Sequence, residues 1–273
     1  MDENIVNKIE SLPPLPKTVA QIEEFRKMPE KESMDLLKII EKDALIVSTL
    51  LKVANSAMFG FRSKVETASK AINLLGINFT ISIAIGGTIQ NLLKTNLKPY
   101  GISTDDFMNA SNLATTLTSM WLDKASINLK EELSLPALLQ ETGKFILSDV
   151  MEMDNKTEDF EKLLSSGKTV EEAEKEITGT TTSEITAKIF DHWKLSENLI
   201  NDIEYVDDIK NCKPEYLNKA QILHVIKKIC DVRDTFSENS IKEGLSLAKE
   251  YNLDTSALQK SIEKLQKKFE DQL

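Results

Sequence analysis

Histidine is nearly missing from this chain. His192 and His224 are the only two in 273 residues, too few and too far apart to build a histidine-dependent metal centre. Cysteine is equally scarce, and Cys212 with Cys230 makes no disulfide framework. Long apolar runs are missing too. The segment FTISIAIGGTI (79–89) falls far short of the ~20 residues that a membrane-spanning helix needs. The N-terminus, MDENIVNKIESLPPLP, opens on two acids and is no secretory signal. Basic charge is in deficit, with 34 Lys and Arg against 44 Asp and Glu for a net charge of −10. Such a chain repels nucleic-acid phosphates at long range. The pairs Lys227-Lys228 and Lys267-Lys268 read as solvated faces of mixed helices. No phosphate loop, dinucleotide glycine fingerprint or nucleophile elbow occurs. These absences leave a cytoplasmic protein without nucleic-acid binding, membrane insertion or a cofactor as the expectation.

What is present is helical periodicity. A hydrophobic content of 41% is that of a globular chain, long enough to bury a substantial core as one large domain or two closely packed subdomains. Leu15, Val19, Ile22 and Phe25 fall on one helical face. Ser33 is expected to cap a helix carrying Leu37, Ile40 and Ala44, and Asp43 to cap the next, with Leu50, Leu51 and Ala54 inward. Val65, Ala68 and Ile72 lead to Gly76, a helix stop. Ala110, Ala114, Leu117 and Trp121 form another stripe, as do Leu258, Ile262, Leu265 and Phe269. No stretch gives clean strands with hairpin turns. The expected fold is all-α, with a dozen or more helices.

Punctuation divides the chain. Pro16 in LPPLP (12–16) suits a first helical turn. KPYGISTDD (98–106) is the best boundary in the first half, SSGKT (165–169) a helix–helix turn, and NCKP (211–214) a helix entry. The expected organisation is an N-terminal helical subdomain over 1–100 and a second helical part over 101–273. Gly86-Gly87 interrupts an apolar helix at roughly 1 kcal/mol per glycine, which suits a close helix approach or a bend.

The order LPPLPKTV, IIEKDALIVSTLLKVANSAMFG, VETASKAINLLG resembles the HDOD family, output modules of bacterial signalling related to HD-type phosphohydrolases. Asn55, Ser56, Ala57 and Gly60 fall on the family's asparagine–serine turn, with Gly76 closing the signature; Ala44 stands where the family usually has proline. The resemblance runs more weakly through NASNLATTL, LPALLQETGKFILSD, ITGTTTSEITAKIFDHW and IEYVDD, covering about 12–208. It implies an N-terminal helical bundle packed on a part related to the HD fold. Active HD enzymes hold metal there through histidines and aspartates on facing helices. Metal so held lowers the pKa of a bound water.

Laid on that pattern, the first ligand histidine falls near Ala110, the His-Asp pair on Gln140-Glu141, a further histidine on Thr182 and the later pair on Val206-Asp207. None of these positions is histidine. The resemblance therefore implies a degenerate site, with Gln140, Glu141 and Asp207 as relict-cleft residues and Asn55, Ser56, Gly60 and Gly76 as structural signature. Glu141 is expected to be a boundary carboxylate that hydrogen-bonds a neighbouring helix, and NDIEYVDD (201–208) a solvated acidic helix end. His192 reads as a helix-end residue beside Trp193, and His224 and Cys230 face different sides of one helix. The expected function is a non-catalytic signalling module that binds other regulatory proteins, its signal arriving in trans. The alternatives are a divergent metal-dependent phosphohydrolase using Glu141, Asp207 and Asp208, and a nucleotide sensor using the relict cleft.

Overall fold

The computed structural model describes residues 2–56, 59–61, 63–93, 96–122 and 127–270. Among them are sixteen α-helices and no β-strand, only an isolated bridge between Leu97 and Ile102. In chain order the helices are α1 (Glu3–Glu10), α2 (Lys17–Arg26), α3 (Ser33–Ile40), α4 (Ala44–Ala54), α5 (Ala68–Leu75), α6 (Ile77–Leu93), α7 (Thr104–Trp121) and α8 (Ile127–Leu139). They continue as α9 (Gly143–Met153), α10 (Thr157–Ser165), α11 (Val170–Thr178), α12 (Thr182–His192), α13 (Glu197–Glu204), α14 (Pro214–Ile229), α15 (Glu238–Glu250) and α16 (Thr255–Glu270). Short 3-10 turns lie at Lys98–Tyr100 and Ile209–Asn211.

The chain forms two compact units that are interleaved rather than consecutive. One comprises residues 1–13, 93–114 and 139–255, the other 14–92, 115–138 and 256–273.

In the second of these, the stripes on α2 to α5 are the core. Val19, Ile22 and Phe25 are buried on α2, Leu36 and Ile40 on α3, and Ile46, Leu50, Val53 and Ala54 on α4. Asp43 caps α4 by accepting hydrogen bonds from the amides of Leu45 and Ile46. Two expectations about helix ends shift slightly. Ser33 is the first residue of α3, which has Glu32 at its cap without a side-chain bond. Ala44 opens α4 instead of closing the preceding stripe. For Ala44 the cause is Asp43, which caps α4 and so places Ala44 in its first turn. Leu51 is half-buried, and Val53 takes the inward place.

Gly76 ends α5 at φ 82°, which a Cβ would resist. The chain then turns by 119° into α6. The glycine pair lies inside α6, which is unbroken there. A Cβ on Gly87 would lie 2.5 Å from the Thr49 methyl, so the glycine lets α4 and α6 approach closely. The hydroxyls of α6 are satisfied within the helix, Thr80 donating to the Gly76 carbonyl and Thr88 to that of Ala84. Among the described residues no single helix is long and apolar enough to cross a membrane; the bent pair α5–α6 passes by length and composition alone.

The other unit is built around α9, α12 and α13, with α14 against α15. Capping boxes start α11, through Thr169 and Glu172, and α12, through Thr181 and Glu184. Each supplies two reciprocal hydrogen bonds to otherwise orphaned amides. Trp193 is buried after α12, and its indole N–H donates to the Pro13 carbonyl at 2.9 Å.

Candidate functional site

Gln140 and Glu141 follow the last residue of α8. They occupy the short elbow between α8 and α9, and both are buried. The elbow is pinned to α12 by Thr186, whose hydroxyl donates to the Gln140 carbonyl at 3.1 Å and accepts from the Gly143 amide at 2.8 Å. Gly143 makes this possible. A Cβ there would stand 2.3 Å from the Thr182 carbonyl oxygen, so only glycine lets α9 come this close to α12. That crossing sets Lys144 beside the start of α12.

Around Lys144 the unit buries a network of charge. Its Nζ lies 2.6 Å from Glu141 Oε2 and 3.3 Å from Glu174 Oε1, and it donates to the Thr182 hydroxyl at 3.2 Å. Glu174, from α11, accepts from the Tyr100 hydroxyl at 2.9 Å, from the Thr182 hydroxyl at 2.6 Å and from the Thr182 amide at 2.7 Å. Asp207 accepts from the neighbouring amide, Ser183, at 2.9 Å. Two carboxylates thus sit on the N-terminal amides of α12, where the helix dipole favours negative charge.

A second ammonium enters from α14. Lys227 Nζ lies 2.5 Å from Asp207 Oδ1, 3.3 Å from Glu141 Oε1 and 3.4 Å from Glu171 Oε1. Glu141 therefore bridges the two lysines, one carboxylate oxygen to each. Glu171 also takes Lys228 at 2.9 Å. The side chains of Lys144 and Lys227 are only 2% and 5% exposed.

Burial alone would discharge these groups. It pulls the pKa of Lys144 down, but Glu141 and Glu174 outweigh it and hold that ammonium above its ordinary value. The same contest at Lys227 is won by Asp207, Glu141 and Glu171. Burial raises Asp207 and Glu171, yet Lys227 holds both below the usual carboxylate range. Glu174 is the exception, pushed up by burial against the pull of the lysines.

The structure brings Glu141, Thr182 and Asp207 into this one network. Ala110 and Val206 are buried apolar residues of the same unit. The Gln140 side chain is buried with its carbonyl oxygen unpartnered. Among the described residues no group of three or more His, Cys, Asp or Glu side chains is arranged to hold a metal.

Three sequence expectations are corrected here. Lys227 is no solvated lysine; it stands on the buried stripe Ala220, Leu223, Lys227 of α14, which Cys230 continues at the helix end. Glu141 does pair with a neighbouring helix, through Lys227 of α14, but it is buried rather than at a boundary and also meets Lys144. The segment 201–208 is not wholly solvated either. Asp202 is buried and lies 3.3 Å from Lys219, and the Asp207 side chain is inaccessible. Lys144, Glu171, Glu174 and Tyr100 were missed altogether. Helical spacing carried a signal for some of them, since Glu171, Glu174 and Thr178 share one face of α11 with buried Ala173 beside it.

The signature residues lie in the other unit. Asn55 closes α4, its amide donating to the carbonyls of Leu51 and Val65 and its oxygen accepting from the Val65 amide, each at 2.8 Å. It fastens the end of α4 to the segment leading into α5. The Ser56 carbonyl accepts from Phe59 at 3.2 Å, and Gly60 is left-handed at φ 55°. Ala57 lies outside the described residues. His192 ends α12 exposed, whereas His224 is held by the Tyr251 hydroxyl at 2.9 Å.

The all-helical fold is that of an HD-like helical protein. The chain matches the HDOD domain family over residues 12–209 and belongs to it. A virulence factor of Campylobacter jejuni subsp. jejuni is 26% identical, with TM-score 0.57 and full coverage of both chains. A provisionally named phosphohydrolase of Shewanella amazonensis superposes with TM-score 0.73 at 20% identity, over 97% of this chain and 94% of that one. A provisionally named signal transduction protein of Marinobacter aquaeolei gives TM-score 0.73 at 20% identity, over all of this chain and 60% of that one. An uncharacterised protein of Treponema pallidum is 28% identical over 92 residues, so the match covers 32% of this chain and 18% of that relative.

Proposed function

We propose that this HDOD protein is a non-catalytic signalling module that acts by binding other regulatory proteins. The observation that carries the reading is the occupancy of the relict centre. Glu141, Thr182 and Asp207, which the family resemblance aligns with metal-ligand positions, are engaged by the ammonium groups of Lys144 and Lys227. A hydrolytic metal needs several ligands at fixed distances and an open position for water. Here the carboxylates are neutralised from inside the chain, and the remaining aligned positions, Ala110 and Val206, offer no ligand. The signalling part rests on family membership, alongside the signalling name of the Marinobacter neighbour.

The test has two arms. Purified protein is assayed against phosphodiester and phosphomonoester substrates with Mn2+ and Mg2+, and turnover above that of a Glu141→Gln, Asp207→Asn variant would reject the reading. The tagged protein is then used to capture partners from its native host, identified by mass spectrometry and verified with purified components. A direct protein partner is the expected result.

A further inference from the structure

We propose that α1 is a detachable helix, the resident in cis of a helix-docking face made by α9 and α12, which a regulatory partner takes over with an amphipathic helix of the same pattern. The inference rests on the protein-binding reading above and names its surface and the kind of partner. α1 packs on α9 and α12 of its own unit. It buries two side chains, Ile5 and Ile9, which lie one turn apart on one helical face. Acids of the face complete the match. Lys8 Nζ lies 2.6 Å from the Asp149 carboxylate of α9, and the Asn4 side-chain amide donates to Asp154, which caps the end of α9, at 3.1 Å. Past the helix, the Pro13 carbonyl accepts the Trp193 indole N–H. An occupant of this face therefore carries two aliphatic side chains at i and i+4 and a cation at i+3, and the face answers with carboxylates. That is the helix-in-groove mode of peptide recognition.

Several features make α1 separable. The backbone hydrogen bonds described for residues 2–12 close within that segment, and Asp2 caps the helix by accepting from the Asn4 backbone amide. Its seat on α9 and α12 is thus made by side chains. The polar contacts lie at the rim. The Lys8 and Asp149 side chains are 33% and 30% exposed, so water replaces the pair when it parts. The charged centre, with Lys144 and Lys227 buried, has no such exit. A helix of eight residues does not persist alone in water, so α1 unfolds once it leaves and the face is open to another helix. α1 also precedes residue 12, where the family match begins, and Pro13, Pro14 and Pro16 keep it from running on into α2.

The probe is a synthetic peptide of residues 2–14, and the protein is the full chain with Ile5→Ser and Ile9→Ser, which disables α1 and leaves the face intact. The reporter is the Trp193 indole N–H resonance, identified by Trp193→Phe. In the double variant it is expected to leave its parental position, and saturating peptide is expected to bring it back. The parent, with its own α1 seated, should bind the peptide at least about tenfold more weakly. A peptide with Lys8→Glu should lose its hold on the double variant and regain it when Asp149→Lys is added to the protein. In case the double variant does not fold, hydrogen exchange on the parent decides. The amides of α1 should exchange about a hundredfold faster than those of α9, and exchange of both only on global unfolding overturns the inference. A folded double variant that ignores the peptide also overturns it, as does equal binding to parent and variant. A parent dimer that the two serines turn into a monomer assigns the face to a second copy and overturns the partner. A verified protein partner that leaves the peptide seated on the double variant does the same. In each of these cases the functional reading stands, whereas the absence of any protein partner rejects both.

Discussion

The two compact units bury charge by opposite routes. In the unit that includes residues 14–92, Glu23 is a buried acid, and Arg26 and Lys27, one turn along the same helix, neutralise it. In the unit that includes residues 139–255, Asp207, Glu171 and Glu141 all meet Lys227, which arrives on another helix, although Glu141 also has a local partner in Lys144. The first kind of pair exists as soon as α2 is helical. The second exists only when α9, α11, α12 and α14 have assembled. The difference is between a charge settled by local structure and one that makes tertiary structure all-or-none.

The largest effect expected from this difference is at Lys227. Lys227→Met should cost about 3–5 kcal/mol in urea unfolding, because it strands buried carboxylates. Asp207→Asn in that background should return part of the loss. Arg26→Met, which leaves Glu23 with the more exposed Lys27, should cost less, about 1–2 kcal/mol. Equal costs would erase the distinction between the units.

Acid should find the same unit. Burial, then Lys228 and Lys227, pushes His224 down to about 4 from 6.5. Between those values the unfolded chain binds a proton that the native chain refuses, so stability falls as pH is lowered through that window, by roughly 3 kcal/mol. His224→Gln should flatten this limb of the stability profile. Asp207 and Glu171, held below their ordinary values, lose their contribution only at lower pH still. A loss between pH 6.5 and 4 that survives His224→Gln would place its source elsewhere.

Glycine packing sharpens the contrast with a smaller effect. Gly143→Ala drives a methyl against the Thr182 backbone carbonyl and should cost about 2–3 kcal/mol. Gly87→Ala meets only the Thr49 methyl, and helix propensity returns up to ~1 kcal/mol, so its stability should stay within about 1 kcal/mol of the parent. Thermal unfolding of the two variants side by side decides the order.

Most of the helices were legible because burial on one face repeats every three or four residues, and Asp43 and Gly76 mark ends by mechanisms that act within a few residues. The family was legible from the segment around Asn55. The charged centre was not. Gln140-Glu141 and Asp207 could be placed by resemblance, but no spacing told that a lysine on α14, 20 residues after Asp207 and far beyond Glu141, would reach them. The clue existed in α14, where Lys227 interrupts an apolar stripe between Leu223 and Cys230. Reading it as half of a surface lysine pair hid it, since Lys228 is less deeply buried and shares only Glu171. A charge on an apolar stripe is a demand for a partner, and sequence alone does not say which.

The position of Lys227 beyond the family match has a consequence for how the protein comes into being. Translation delivers Glu141, Glu171, Glu174 and Asp207 before their main counter-ion. Until α14 leaves the ribosome, this half-made centre holds four acids against Lys144 alone. A fragment ended at residue 209, where the family match stops, would stay in that condition permanently. In this chain the family match ends before the lysine that neutralises its buried acids.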